Sequence, residues 1–305
     1  MDKKEGDKME EIILQRKLEA LGQNGTLIRK DGKTFLQLDC ENAKELSMKW
    51  GEKLYPFTKT GKKWILELPF STAVNYVQIC VDGQEVLSPD LPIAHGYCRP
   101  YNYIELPDEE GLFELRDVPH GTLTREFYKS QISDNWEKLI VYLPPCVPSA
   151  GLPVLYLQHG FGESEISWST TGKVNFLMDN LIAAGKIKPF AIVMGNGMVK
   201  QRIDGELKLN RALYGQMLVE EILPMIEKKY QFGGSKEKRG MAGLSMGSVQ
   251  TTRTICAHPE LFSEVGIFSG FLRDRIVGDE EHDGIVPKSG GQSYLKAMDD
   301  AAFNT

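Results

Sequence analysis

The stretch from Arg239 to Thr252 reads RGMAGLSMGSVQTT and places Ser245 between Gly243 and Gly247 in the pattern Gly-x-Ser-x-Gly. A serine hydroxyl is a weak nucleophile until a neighbouring base takes its proton, so a reactive serine must be held where base and electrophile can both reach it. The residues before it, KRGMAGL, read as a strand, and those after it, MGSVQTTRTICA, as a helix. A strand that passes directly into a helix bends sharply, and glycines two positions to either side remove Cβ atoms that would collide there. Such an elbow lifts the Ser245 hydroxyl above the sheet edge. It also aims the next backbone N–H, that of Met246, at the oxyanion formed when an ester carbonyl is attacked. The bland alternative is a serine in a tight turn, and the flanking strand and helix weigh against it.

A second segment carries the complementary half of that chemistry. LYLQHGFGESEISW, Leu155 to Trp168, is an apolar strand ending in His-Gly-x-Gly. A backbone N–H just beyond such a strand supplies the other oxyanion donor, and Phe161 is expected to provide it. His159, directly at the strand end, is expected to orient this loop at the substrate pocket rather than to act as general base. Trp168 is expected either to close one wall of an acyl pocket or to pack in the core.

These residues need a scaffold, and the chain divides into two patterns. After a polar leader over 1–24, residues 25–107 alternate short β-prone runs (TFLQLD, ELSMKW, KWILELP, NYVQICVDG) with turn residues, the pattern of a small antiparallel sandwich. Trp50, Tyr55 and Trp64 in this region are candidates for a sugar platform, although aromatics on alternating strands are more often core. From Leu112 the runs lengthen, and the second domain is assigned to 108–305. TLTREFYKSQI, WEKLIVYLP, PVLYLQHG, FAIVMGN and EVGIFSG read as strands, and VNFLMDNLIAAGK as an amphipathic helix. A long helix is expected over 207–230 with a kink at Pro224. Strands alternating with helices predict an α/β domain with a parallel sheet covered on both faces.

Composition excludes several classes of function. The formal charge is −6 and Lys and Arg form no stripe, which argues against a nucleic-acid partner. The five cysteines (Cys40, Cys80, Cys98, Cys146, Cys256) include no CxxC pair, so buried thiols are expected and no metal site is. No run of 18 apolar residues occurs, and MDKKEGDKMEE at the amino terminus has no apolar h-region, so neither a membrane partner nor an export signal is expected.

Together, RDVPHGTLTREFYKS, EKLIVYLPP, LPVLYLQHGFGESEISWSTTGKVNFLMDNLIAAGKIKPFAIVMGNG, LVEEILPMIEKKY and RGMAGLSMGSVQT resemble the feruloyl (cinnamoyl) esterases of the esterase D/enterochelin esterase-like group of α/β-hydrolases. The likeness runs from about Leu112 to Gly270. It implies an α/β-hydrolase domain preceded by an early-set immunoglobulin-like β-sandwich, a module often found in the group. It further implies a serine carboxylesterase without cofactor that is acylated on Ser245. The implied partner is an ester-bearing plant polysaccharide or oligosaccharide carrying hydroxycinnamoyl or acetyl groups. Proteins of the group are often secreted.

One feature departs from the group. The fold's triad runs Ser, then Asp or Glu, then His, the last two on loops after later strands. After Gly270 the chain offers FLRDRIVGDEEHDGIVPKSGGQSYLKAMDDAAFNT. That holds room for one helix, expected over 292–302, and no further apolar strand. The hydrolase domain is therefore expected to be incomplete at its carboxy-terminal end and to turn over esters poorly. His282, among Asp279, Glu280, Glu281 and Asp283, is expected to lie in a solvated acidic loop, while His95, His120 and His258 are expected to be structural. The competing reading is a non-catalytic carbohydrate-binding or scaffold protein that keeps the fold and lacks the base.

Overall fold

A computed structural model of the chain describes residues 11–14, 26–106 and 110–270. The acidic loop around His282 and the helix expected over 292–302 lie outside them. The chain separates into two compact units, 1–94 with 99–111, and 95–98 with 112–305.

The first unit is built from β1 (Glu11–Leu14), β2 (Thr26–Lys30), β3 (Lys33–Asp39), β4 (Leu46–Trp50), β5 (Lys53–Pro56), β6 (Thr58–Thr60), β7 (Lys63–Glu67), β8 (Ala73–Val81), β9 (Gln84–Val86), β10 (Ile93–Gly96) and β11 (Arg99–Leu106). One sheet has the order β1-β2-β3-β7-β6 and the other β10-β11-β8-β4-β5, with β9 paired to β8. Alternation sets the inner faces: Leu36 and Leu38 of β3, Met48 of β4, and Val77 and Ile79 of β8 are buried in one shared core. Asp31-Gly32 and Asp82-Gly83 take left-handed backbone angles at the two tight hairpins, as two-residue turns between twisted strands require. Trp64 is buried and its indole N–H donates to the Cys40 carbonyl, while Trp50 packs on Tyr55 and Phe70. Trp64 is thus a core residue, and Trp50 and Tyr55 pack partly buried against the same core. The segment expected as a polar leader also supplies a strand, because its apolar run Glu-Ile-Ile-Leu pairs antiparallel with β2.

The second unit contains β12 (Thr122–Lys129), β13 (Trp136–Leu143), β14 (Val154–Gln158), α1 (Ser167–Thr170), α2 (Val174–Ala183), β15 (Ala191–Gly195), β16 (Lys200–Ile203), β17 (Glu206–Leu209), α3 (Leu213–Met217), α4 (Leu223–Tyr230), β18 (Arg239–Leu244), α5 (Met246–Ala257) and β19 (Glu264–Phe268). Its main sheet has the order β12-β13-β15-β14-β18-β19. β15, β14, β18 and β19 are parallel, but β12 and β13 form an antiparallel pair and β13 meets β15 antiparallel. The sheet is therefore mixed rather than parallel throughout, since the short turn Ser130–Asn135 can join only antiparallel neighbours. Both faces are covered. Leu139, Val141, Tyr156 and Met241 face the core built with α3, α4 and α5, and Ile140, Tyr142, Leu157 and Ala242 face the one built with α2.

The helix expected over 207–230 is shorter than its pattern. Asp204-Gly205 turns the chain at left-handed angles, and residues 200–209 become the hairpin β16–β17. The helical run begins at Leu213 and widens to a π turn over Leu218–Ile222 just before Pro224, whose missing N–H cannot serve an α-helical ladder.

One ion pair pins the start of β18. Glu227 of α4 accepts Arg239 Nε at 2.6 Å and Nη2 at 2.8 Å, and also the Tyr156 hydroxyl and the Gly234 N–H. Both charged side chains are largely buried, so removing one strands the other. Arg239→Leu should lower the unfolding free energy by about 3 kcal/mol in urea titrations. A loss under about 1 kcal/mol would place the anchor of β18 elsewhere.

Candidate active site

The register brings the two sequence segments side by side. β14 and β18 are adjacent parallel strands with Gln158 opposite Gly243, so the loop after Gln158 and the turn after Leu244 leave the same end of the sheet. Ser245 sits in that turn at φ 51° and ψ −110°, an unusual conformation for a side-chain-bearing residue and the kind of strain concentrated at functional turns. Two bonds hold it. Its N–H donates to the Phe268 carbonyl of β19 at 2.9 Å, and its carbonyl accepts the Ser248 N–H and hydroxyl.

The flanking glycines are forced by backbone proximity. A Cβ on Gly243 would lie 2.2 Å from the Gly247 carbonyl oxygen, and one on Gly247 would lie 2.6 Å from that of His159 and 2.7 Å from that of Gln158. All of these obstacles are backbone, which cannot swing aside. The helix α5 can thus start directly against the end of β14. Met246 is its first residue, and N–H groups of a first helical turn have no partner within the helix.

The loop after β14 is fixed from within. The Gly160 N–H donates to Glu163 Oε2 at 2.9 Å, and that of Gly162 points at Met198 Sδ at 3.4 Å. Phe161 lies between them, partly exposed, with the Arg211 guanidinium 4.8 Å from its ring centroid. Among the described residues no bond engages the Phe161 N–H.

His159 is 1 % exposed and both ring nitrogens meet backbone. Nδ1 is 2.8 Å from the Gly160 carbonyl, to which it donates, and Nε2 accepts the Gly197 N–H at 2.9 Å. The ring is therefore a neutral strut between the loops after β14 and β15, with no nitrogen left for a substrate or for Ser245. Burial holds its pKa below the ordinary histidine range, outweighing the bonds from Gly160 and Asn196 and the charge of Glu165. Gln250 of α5 braces the same crossing by donating to the carbonyls of Gly197 and Arg211. Sequence reasoning missed Gly197, Gln250 and Arg211. The Gly-Asn-Gly run at 195–197, closing an apolar strand, was the available signal for the first.

Trp168 lies in α1, half-buried, packed against the α2 core with its ring 6.0 Å from that of Phe268. It reaches the elbow indirectly, because the Phe268 carbonyl holds the Ser245 N–H. Of the other described histidines, His120 bridges Asp179 and the Arg116 carbonyl, His258 ends α5 beside Glu260, and His95 lies exposed on β10. Among the described residues no histidine is hydrogen-bonded to Ser245, and no cluster of three metal-ligating side chains occurs.

A mixed sheet flanked by helices, with a strained serine between the strand β18 and the helix α5, defines an α/β-hydrolase. Residues 130–299 match the model of the family described as Esterase, and the chain belongs to that family. Over 264 residues it is 31 % identical to an endo-1,4-beta-xylanase/feruloyl esterase of Xylanibacter ruminicola, an alignment covering 82 % of this chain and 36 % of that relative. The chain thus spans about a third of that protein's length. The enterobactin esterase of Shigella flexneri, solved in the presence of enterobactin, shares the fold with a TM-score of 0.62 at 12 % identity, over 86 % of this chain and 77 % of that one.

The buried histidine has a pH signature. Its folded-state pKa lies below the unfolded value of about 6.5, so below that pH the unfolded chain takes up a proton that the folded one resists. Stability should fall as the pH drops from 7 towards 5, and the slope should lessen in His159→Gln, read by urea unfolding at each pH. A variant with the full wild-type slope would assign the proton uptake to another group.

Proposed function

We propose that the chain is a serine carboxylesterase that hydrolyses hydroxycinnamoyl (feruloyl) or acetyl esters on plant polysaccharide through an acyl-enzyme on Ser245. The observation that carries this reading is the strained Ser245 at the β18–α5 turn, set between two glycines whose every added Cβ would meet backbone. The name of the Xylanibacter ruminicola relative supports the feruloyl and xylan parts.

In this reading Ser245 Oγ attacks the ester carbonyl and its proton passes to a base. The carbonyl oxygen becomes an oxyanion that accepts hydrogen bonds from the N–H groups of Met246 and Phe161. The unpaired first-turn position of Met246 and the engagement of the N–H groups on either side of Phe161 support these two donors. Collapse of the tetrahedral intermediate breaks the ester C–O bond and expels the sugar alcohol. Water then attacks the acyl-enzyme, releasing the acid and restoring the serine. Trp168 borders the acyl side through Phe268, whereas His159 acts by positioning the loops. The two-sheet unit, 25–107 by its sequence pattern, is read as an early-set immunoglobulin-like accessory module.

The test is hydrolysis of methyl ferulate by the 305-residue chain, alone and with Ser245→Ala. Turnover should be slow for the chain and fall to the spontaneous rate in the variant. Hydrolysis that survives Ser245→Ala would remove the serine from this role.

A further inference from the structure

The edge of the second unit's main sheet carries two large aromatic rings that the core does not use. β12 and β13 pair with Phe127 opposite Lys138 and Lys129 opposite Trp136, so Phe127 and Trp136 are diagonal neighbours on one face, within reach of each other. Further along the same face Ile140 and Tyr142 are covered by the α2 core, at 6 % and 0 % exposure. Phe127 and Trp136 are 61 % and 67 % exposed. Adjacent aromatics left this open mark an interaction surface.

The surroundings are cationic. Arg125 Nη2 and Lys138 Nζ, on the same face, lie 3.8 and 3.2 Å from Oε1 of Glu165, which is 1 % exposed. One carboxylate answers two half-exposed cations, so the shelf keeps a positive charge on a chain whose formal charge is −6. Lys129, also on this face, pairs with Asp134.

Topology places the shelf at the mouth of the elbow. The last residue of β15, Gly195, stands opposite Leu139, and Trp136 lies three residues further towards the end of the sheet where Ser245 leaves β18. Between β18 and β13 there are three strand spacings, about 14 Å, and β12 adds about 5 Å more. Glu165 links the two places, since it follows the His-Gly-x-Gly loop by three residues and ends under Lys138.

We propose that Phe127 and Trp136, with Lys138 and Arg125, form a carbohydrate-binding site for a carboxylate-bearing polysaccharide, holding the polymer beside the ester-cleaving serine. The polymer class rests on the function proposed above. Flat, open rings without a pocket suit the C–H face of a pyranose, which stacks on a π-face, and the excess cation suits a uronate carboxylate. A second copy of the chain fits less well. Pairing β12 with itself would bring the exposed Arg125 and Lys129 of each copy together, and edge cations of this kind block such pairing.

The experiment follows retention of the full chain on native gels containing soluble glucuronoxylan, with Ser245→Ala as background to remove turnover. Phe127→Ala/Trp136→Ala should weaken binding about tenfold, a change of about 1.4 kcal/mol, with an unchanged thermal midpoint. Trp136→Tyr, which keeps a ring face, should retain most of the binding. In the Ser245 enzyme the double variant should leave methyl ferulate turnover unaltered. Turnover thus reports the esterase reading and retention reports this site, so either can fail alone. The proposal is overturned by a parent chain that is not retained, by a double variant retained as well as the parent, or by a dimer that the double variant converts to monomer. Equal retention on a neutral xylan overturns the acidic partner.

Discussion

The close approach of three backbone segments at the end of β14 governs the geometry of the site. Gly247 at the head of α5 lies against the carbonyls of Gln158 and His159, and Gly243 at the end of β18 lies against Gly247 itself. Any side chain at either glycine pushes the helix off the sheet end, and Ser245 loses the angles that present it. The strain at Ser245 is held by the neighbours that clamp it, the Phe268 carbonyl on one side and the first turn of α5 on the other.

Buried polar groups carry this arrangement outward. His159 ties the loop after β14 to the one after β15, and Gln250 ties that second loop to α5, so the two loops and the helix are cross-linked by buried hydrogen bonds. Glu227 fixes the entry to β18 through Arg239, Tyr156 and Gly234. Glu165 extends the same framework towards Arg125 and Lys138 at the sheet edge. Each of these groups is inaccessible to solvent or nearly so. A buried donor or acceptor that loses its partner costs far more than an exposed one, which is why a few such groups can set the positions of loops.

Much of this was legible in the sequence because the signals were local. The Gly-x-Ser-x-Gly run, the apolar strand before His159 and the alternation within 33–81 each involve a few neighbouring residues with one dominant physical reason. The exceptions depend on partners distant in sequence or on a turn that outweighed a periodicity. The helix expected from Leu207 on the spacing of Leu213, Met217, Ile222 and Ile226 starts later, because Asp204-Gly205 closed a hairpin and claimed Leu207 and Leu209 as strand. Trp64 looked available for a ligand until the core buried it and Trp50 packed partly buried against the same core, whereas Trp136, unremarked in the sequence, proved exposed among the described residues. The part played by Gln250 needed two carbonyls, one 53 and one 39 residues away, that no spacing reveals.

The central claim is that Ser245, held at the β18–α5 turn, is the nucleophile. Peptide mapping by mass spectrometry after treatment with a fluorophosphonate probe tests it most directly. The account predicts a single adduct, on Ser245, and no adduct in Ser245→Ala. An adduct on Ser248 or any other serine, or labelling that persists in the variant, would contradict it.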